Sequence, residues 1–454
     1  MSSILIRKAQ AIVTVDTEDR VLEGADVWLK DGVIAGIGPE LAPPEPVDRV
    51  IEAGNMFVYP GLVNVHHHLY QTFTRNLPQV QKLELFDWLR YLYDIWQGLT
   101  PDAVYHSSLT GIGDLMKNGC TTVFDHHYVF PRQNSAEFID RQFEAAERLG
   151  IRFVASRGSM TLGVDEGGLP PMSVVQDIHT ILADSERLID RYHDARAGAM
   201  RQVVLAPCSP FSVSADILLE SAKLARSRGV RLHTHLAETK NEEAYTLERF
   251  GMRPLAYMES LGWLGDDVWY AHGIHFNDAE LRLLAQTGTG VAHCPISNMK
   301  LASGVARVPE MLEMGIPVGL AVDGSASNDG SNLLEELRVA YLLHRLHASA
   351  GAPTGYDLLK VATRGGAAIL GRNDIGSLEV GKCADLFMIR VDQLDAVGTQ
   401  ADARSWLGTV GLKRPVDYTI VNGRVVVEDG RLTGADEERL AAECQAAYRR
   451  FVEA

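Results

Sequence analysis

Pro60-Gly-Leu-Val-Asn-Val-His66-His67-His68 is an apolar run that ends in imidazoles. Residues i and i+2 of a strand point to the same side. If the run is a strand, His66 and His68 therefore face one space and His67 points away. Two imidazoles converging from rigid backbone are the beginning of a metal site. The remaining chain is read by what else reaches that space.

Outward from this stretch, short apolar runs alternate with helical patterns between about 59 and 370. The runs are 57–68, 121–126, 152–157, 202–209, 231–238, 268–273, 290–295 and 318–324, eight in all. Helical stretches such as 216–227 and 335–347 lie between them. Eight β-then-α units of this spacing predict an α/β fold, a (β/α)8 TIM-like barrel. A doubly wound open sheet is the alternative, but no Gly-rich phosphate loop follows the first strand. Asp31-Gly32 and Asn422-Gly423 each separate two apolar runs, the signature of a tight hairpin. Both ends of the chain are thus β-hairpin material. The expected organisation is a small β-sandwich domain built from 1–58 and 371–454 around a catalytic barrel of 59–370. The last segment, 435–452, is an amphipathic helix with Leu440, Cys444, Ala447, Tyr448 and Phe451 on one stripe.

Composition narrows the function classes. The chain has 454 residues, 46% hydrophobic and 22% charged, enough for a large core. Its net charge of −16 repels phosphate backbones and argues against nucleic-acid binding. The five cysteines form no CxxC pair, which points to reduced thiols in a cytoplasm. No window of 18 apolar residues and no signal-peptide pattern is present, so a soluble cytoplasmic protein without membrane contact is expected.

In a barrel the chemistry sits at the C-terminal strand ends. Those ends carry His66 and His68, Asp125 and His126, Arg157, Cys208, His235 and Glu238, His272, His293, and Asp323. His233 lies two residues before His235, and spacing alone leaves open which of the two ligates; His235 is nearer the strand end. Asp323 follows five apolar residues and precedes Gly324. A buried carboxylate costs several kcal/mol unless paired or metal-bound, so a functional role is expected there. His293 suits a supporting position as well as a ligating one. His67, His126 and His127 are not expected to ligate, and Cys208 and Cys294 are expected to be small buried residues. Gln71, three residues past the histidines, has both a donor and an acceptor for an amide-like ring edge. Arg157 offers a cation for a substrate oxo group or for a structural ion pair. Tyr70, Phe73 and Trp88 are candidates to cover a flat ring.

PGLVNVHHH, HTHLAE, AHGIH, HCPISNMKLASG and VDGSASNDGSN together resemble the amidohydrolase superfamily, in its cytosine/guanine deaminase-related branch. The resemblance spans nearly the whole chain. It implies one divalent ion, Zn2+ or else Fe2+, held by His66, His68, His235 and Asp323. It also implies a proton-shuttling Glu238 and a polarising His272, with Asp323 taking a proton from water. Members with two metals often carry a carboxylated lysine on the fourth strand; 202–209 contains none, so one metal is expected. The implied activity is hydrolytic deamination of an oxo- and amino-substituted nitrogen heterocycle, with water as co-substrate. GCTTVFDHHYV, SRGSM, GGLPP, VVLAPCSPFSVS and SNMKLASG are most similar to the deaminases of 8-oxoguanine, which release urate and ammonia. Hydroxyatrazine-type triazines, which lose an alkylamine, and isoxanthopterin or guanine are the alternatives. A metal-free, non-enzymatic homologue is the remote one. A homo-oligomer, taken as a dimer, is expected.

Overall fold

The computed structural model describes residues 3–133 and 135–453. Eight parallel strands form one sheet in sequence order: Leu62–Asn64, Cys120–Asp125, Arg152–Ser159, Arg201–Pro207, Arg231–Leu236, Val268–His272, Gly290–His293 and Val318–Leu320. They are barrel strands 1 to 8 below. Each is buried on both sides along most of its length, which is why they read as continuous apolar runs. Strands 1 and 8 meet through the Val65 amide, which donates to the Leu320 carbonyl at 3.4 Å. Just beyond, Asp323 pairs with His67 and Gly324 with His68 in a short parallel ladder. The seam of the barrel therefore closes through the two ends of the chain segment that carry the candidate ligands.

The run 57–68 is not one strand. Met56–Pro60 pairs with Leu386–Arg390 in a seven-stranded sheet that also holds strands from 11–22 and 418–432. The chain then turns at Gly61 into barrel strand 1. A Cβ on Gly61 would lie 2.0 Å from Thr121 Oγ1, so only glycine passes there. A second sheet orders Val33–Gly38, Ala25–Lys30, Ser3–Ala9 and Arg49–Glu52. The two sheets share a core that includes Ile6, Ile12, Val27, Val58, Leu386, Met388 and Ile420, drawn from both chain ends. The C-terminal helix Glu437–Val452 lies against the barrel instead of these sheets. Phe451 and Tyr448 pack on Phe73, and Lys117 of helix Pro101–Lys117 pairs with Glu437 at 2.8 Å. No described helix is long and apolar enough to cross a membrane.

Two features prepare the C-terminal mouth. Ala237, His272 and Asp323, at or just beyond the ends of strands 5, 6 and 8, have φ of 54°, 73° and 59°. A non-glycine residue held left-handed costs on the order of 1–3 kcal/mol, and such strain gathers at functional sites. In addition, helix Leu85–Trp96 lies across the mouth in the loop after strand 1. Leu85, Trp88 and Leu89 turn inward from it at i, i+3 and i+4.

Candidate active site

His66, His68, His235, His272 and Asp323 come together at the mouth. Their protonation follows from what stands behind them. His68 Nδ1 is 2.6 Å from the His126 carbonyl, and His235 Nδ1 is 2.6 Å from the Cys208 carbonyl. A carbonyl only accepts, so each Nδ1 carries the proton and each Nε2 a lone pair. Those two Nε2 atoms face each other at 3.1 Å. Two lone pairs at that distance repel unless a cation lies between them. His66 reaches the same state through a relay. His233 Nδ1 donates to the Trp269 carbonyl at 3.0 Å, so its Nε2 accepts from His66 Nδ1 at 2.8 Å. His66 Nε2 is then bare and buried, and no hydrogen bond satisfies it. Asp323 Oδ1 lies 3.2 Å from His66 Nε2 and 3.3 Å from His68 Nε2. Burial pushes His66 down to about 3 and His235 and His272 below their ordinary values, which keeps the imidazoles neutral.

Burial alone would raise the Asp323 carboxyl, but it is held well below the usual range, and donors on both of its oxygens favour the ionised form. Ser297 Oγ donates to its Oδ2 at 2.5 Å and the Gly324 amide to its Oδ1 at 2.6 Å. Glu238 is the opposite case. Burial raises its carboxyl well above the ordinary value, and the nearby negative charges of Asp323 and Glu242 add to that. Its Oε1 is buried without a partner, and its Oε2 is 3.5 Å from His272 Nε2. Two carboxyl groups in one site are thus driven apart in acidity, the usual mark of a base and an acid with separate tasks. His272 Nδ1 rests on Asn298 Oδ1 at 2.9 Å, which aims Nε2 at Glu238 and, 4.0 Å away, Asp323.

Most of these groups line one cavity. The polar part of the lining is His68, Gln71, His235, Glu238, His272, Asp323 and Ser327. The apolar part of the lining is Leu85, Trp88, Leu89, Phe211 and Leu301. Both polar atoms of the Gln71 side chain are buried and unpartnered, as is Trp88 Nε1. Gln71 fits because position 324 is glycine; a Cβ there would sit 1.9 Å from its Oε1.

Arg157 is elsewhere, and the expectation that it binds substrate is corrected. Its Nε donates to Asp184 at 2.6 Å, its other nitrogens to the Gly158 carbonyl and Gln176, and its plane stacks 3.8 Å from the Phe130 ring. It does not line the cavity. Arg157→Met is accordingly expected to lower stability by about 3 kcal/mol, the low end for breaking a buried pair because Asp184 keeps some access to water. The same variant should leave the KM of whatever substrate the enzyme takes unchanged; denaturant unfolding together with steady-state kinetics checks both.

Other residues sort as follows. His233, the rival of His235, stands behind His66 and faces away from the cavity. His67 binds Ser331 Oγ at 3.0 Å. His293 faces His344, 3.1 Å between Nε2 atoms, and lies outside the cluster. Cys208 lines the cavity as a thiol that burial pushes up to about 12. Phe73 belongs to the packing under the C-terminal helix. His126 is closer than expected: among the described residues it joins His66, His68 and His235 in one of two groups whose atoms, within 4.8 Å of one another, could hold a metal ion, the other being His66, His235, His272 and Asp323. Its Nε2 donates to the Ala206 carbonyl at 2.8 Å and its Nδ1 is unpartnered.

Sequence reasoning did not single out Asn298, Ser297, Glu242 or the bracing role of Asp125. Asp125 takes the Leu69 amide and Gln142 Nε2, both at 2.6 Å, and so anchors the loop that carries Gln71. Glu242 had a signal, Thr239-x-x-Glu242, but that pattern announces a helix cap and nothing more.

Neutral imidazoles and a carboxylate at the C-terminal mouth of a parallel barrel, beside a second, buried carboxyl group, make this a hydrolase of the metal-dependent class. The chain belongs to the amidohydrolase family, whose sequence profile matches residues 57–426. It is similar to the 8-oxoguanine deaminase of Pseudomonas aeruginosa, 46% identical over 98% of each chain. It is 43% identical to the hydroxydechloroatrazine ethylaminohydrolase of Pseudomonas sp. (strain ADP), over 100% of this chain and 96% of that one. Among solved structures it resembles atrazine chlorohydrolase from Arthrobacter aurescens TC1 complexed with zinc, with a TM-score of 0.95 and 35% identity, covering 98% of this chain and 100% of that one.

Proposed function

We propose that this enzyme hydrolytically deaminates an oxo- and amino-substituted nitrogen heterocycle, with 8-oxoguanine as the first candidate, yielding urate and ammonia. The observation that carries the reading is the convergence of two carboxyl groups, Asp323 and Glu238, with His272 between them on the lining of one cavity. Removing an amine from a ring carbon needs a base for the attacking water and an acid for the ring nitrogen at the same time.

His66, His68, His235 and Asp323 suit a single divalent cation. The facing lone pairs of His68 and His235 and the orphaned His66 Nε2 call for positive charge, and nitrogen ligands with one carboxylate suit zinc. His126 stacks on His235 and supports it. A bound cation would lower the pKa of water towards about 7 and so supply a nucleophile at neutral pH. Asp323 takes the proton released from the attacking water at its carboxylate. Glu238 delivers its proton to the ring nitrogen beside the carbon that carries the amine. His272, whose Nδ1 proton is held by Asn298, offers the Nε2 lone pair to a proton of the attacking water. Glu238 then takes the second proton of the attacking oxygen and hands it to the amine, which leaves as ammonia while the carbon keeps the oxygen, and the proton held on Asp323 returns to Glu238 so that both groups are restored. The overall balance is substrate plus water giving oxo product plus ammonia. Gln71 presents a donor and an acceptor to the ring edge, and Trp88 Nε1 a further donor. The five cysteines, all buried and free, fit a reducing cytoplasm.

The test is an ammonia-coupled screen of the zinc-loaded enzyme over 8-oxoguanine, guanine, isoxanthopterin and cytosine, with alkylamine detection for N-ethyl hydroxytriazines. Turnover of 8-oxoguanine is expected; no amine from any of them would end the reading. A second reading is release of an alkylamine from a hydroxytriazine. The apolar lining of Leu85, Leu89, Phe211 and Leu301 favours it, because an alkyl group could lie there without exposing polar atoms. Gln71→Ala is expected to lower kcat/KM by about tenfold to a hundredfold on either substrate, since two ring-edge groups lose their partners. Unaltered kinetics would remove Gln71 from the recognition site.

A further inference from the structure

Helix Lys240–Phe250 begins with Thr239-Lys-Asn-Glu242, the sequence of a capping box. In a capping box the acid reaches back to the amide of the cap residue itself. Asn277 and Glu280 do so elsewhere in this chain, Glu280 accepting the Asn277 amide at 2.8 Å. Glu242 does not. Its carboxylate passes over Thr239 and accepts the Ala237 amide on Oε1 and the Glu238 amide on Oε2, each at 2.9 Å. The side chain is fully buried, with no basic partner on either oxygen. The Ala237 that it holds is the left-handed residue, φ 54°, and the Ala237 carbonyl accepts the His275 amide at 3.0 Å. One strained peptide is thus gripped from both sides. Its amide side is fixed by Glu242 and its carbonyl side by the loop after the strand that carries His272.

The consequence falls on Glu238. Its own carboxyl has one unpartnered buried oxygen, and its polar side-chain neighbours are Ser303 and, 3.5 Å from Oε2, His272 Nε2. What aims it is the backbone at 237 and 238. We propose that Glu242 is a positioning residue for Glu238: by clamping two consecutive amides it holds the left-handed turn that points the Glu238 carboxyl into the cavity. This rests on Glu238 being the proton carrier.

Glu242→Gln tests the inference. The amide keeps the shape, but its nitrogen faces a backbone N–H, so one clamp bond is lost. A misplaced acid costs up to about a hundredfold in rate. With the zinc-loaded protein and 8-oxoguanine as probe, or N-ethyl hydroxytriazine if the screen selects it, kcat should fall about 10- to 100-fold. KM should stay within about threefold and zinc content should be unchanged. In the metal-free protein, amide hydrogen exchange over 236–239 should accelerate. Thr239→Ala, which removes the helix cap and leaves both clamped amides alone, should lower Tm with kcat within about twofold of wild type. If Glu242→Gln does not fold, Glu242→Asp, too short to span both amides, is read in the same way. Wild-type kcat and exchange in the folded variant, an equal loss of kcat in Thr239→Ala, or failure of both Glu242 variants to fold would overturn the proposal. Glu238→Gln in parallel separates the two levels. An inactive Glu238→Gln beside a fully active Glu242→Gln sinks the positioning role alone, whereas an active Glu238→Gln sinks the proton-carrier reading beneath it.

Discussion

Glu238→Gln is expected to keep its fold and its metal and to lose about three orders of magnitude in turnover, on the order of 4 kcal/mol of transition-state stabilisation. Glutamine has the shape of the acid and can still hydrogen-bond to a ring nitrogen, but it has no proton to transfer and cannot collect one for the departing amine. Structure predicts little other damage. Glu238 Oε1 has no partner to lose, and the turn that carries the residue is held through its backbone. Burial also works in favour of the variant, since a neutral amide is easier to bury than a carboxylate. KM should therefore move little while kcat collapses, the signature of an interaction used only in the transition state. Steady-state kinetics with metal analysis decides it, and activity within tenfold of wild type would remove Glu238 from the mechanism.

Asp323→Asn is expected to fail at an earlier step. The substitution removes the only negative charge within reach of both His66 Nε2 and His68 Nε2 among the described residues. It leaves neutral imidazoles alone to bind a dication. It also places an amide nitrogen where Ser297 Oγ and the Gly324 amide now donate, so at least one donor loses its acceptor. Metal content should fall well below one per chain, and turnover by about 10⁴-fold, because the cation site and the proton acceptor are lost together. Adding excess zinc should restore metal without restoring rate. Elemental analysis and kinetics at increasing zinc separate the two losses. Recovery of wild-type turnover at saturating zinc would show that the Asp323 carboxylate carries no proton.

Much of this architecture is legible without coordinates because it depends on local periods. Each barrel strand is a run of apolar residues buried on both sides, and a run of that kind stands out against an amphipathic helix. The carboxylate of Asp323 at the end of Val318-Gly-Leu-Ala-Val is conspicuous for the same reason. The run 57–68 misled as to its extent because Pro60 and Gly61 divide it between two sheets. Both halves are apolar, and hydrophobicity does not report which sheet a strand joins. Arg157 misled because its position at a strand end has no signature distinguishing a cation held by Asp184 and Phe130 from one offered to a ligand.

The sequence by itself determined the barrel, the contribution of both chain ends to a β-sheet layer, and the set of residues from which a metal site and a proton carrier are drawn. Strand and helix periods place those groups at strand ends, and strand ends converge in a barrel. Only the tertiary structure decided which nitrogen each imidazole presents. The His126, Cys208 and Trp269 carbonyls that fix the tautomers belong to backbone far from the rings they hold. It likewise decided that His235 and not His233 faces the cavity, that His126 stands within reach, and that Glu242 abandons its helix cap to clamp Glu238. Each of these is a contact between groups whose partners are chosen by the way strands and loops are packed, and no spacing along the chain encodes that choice.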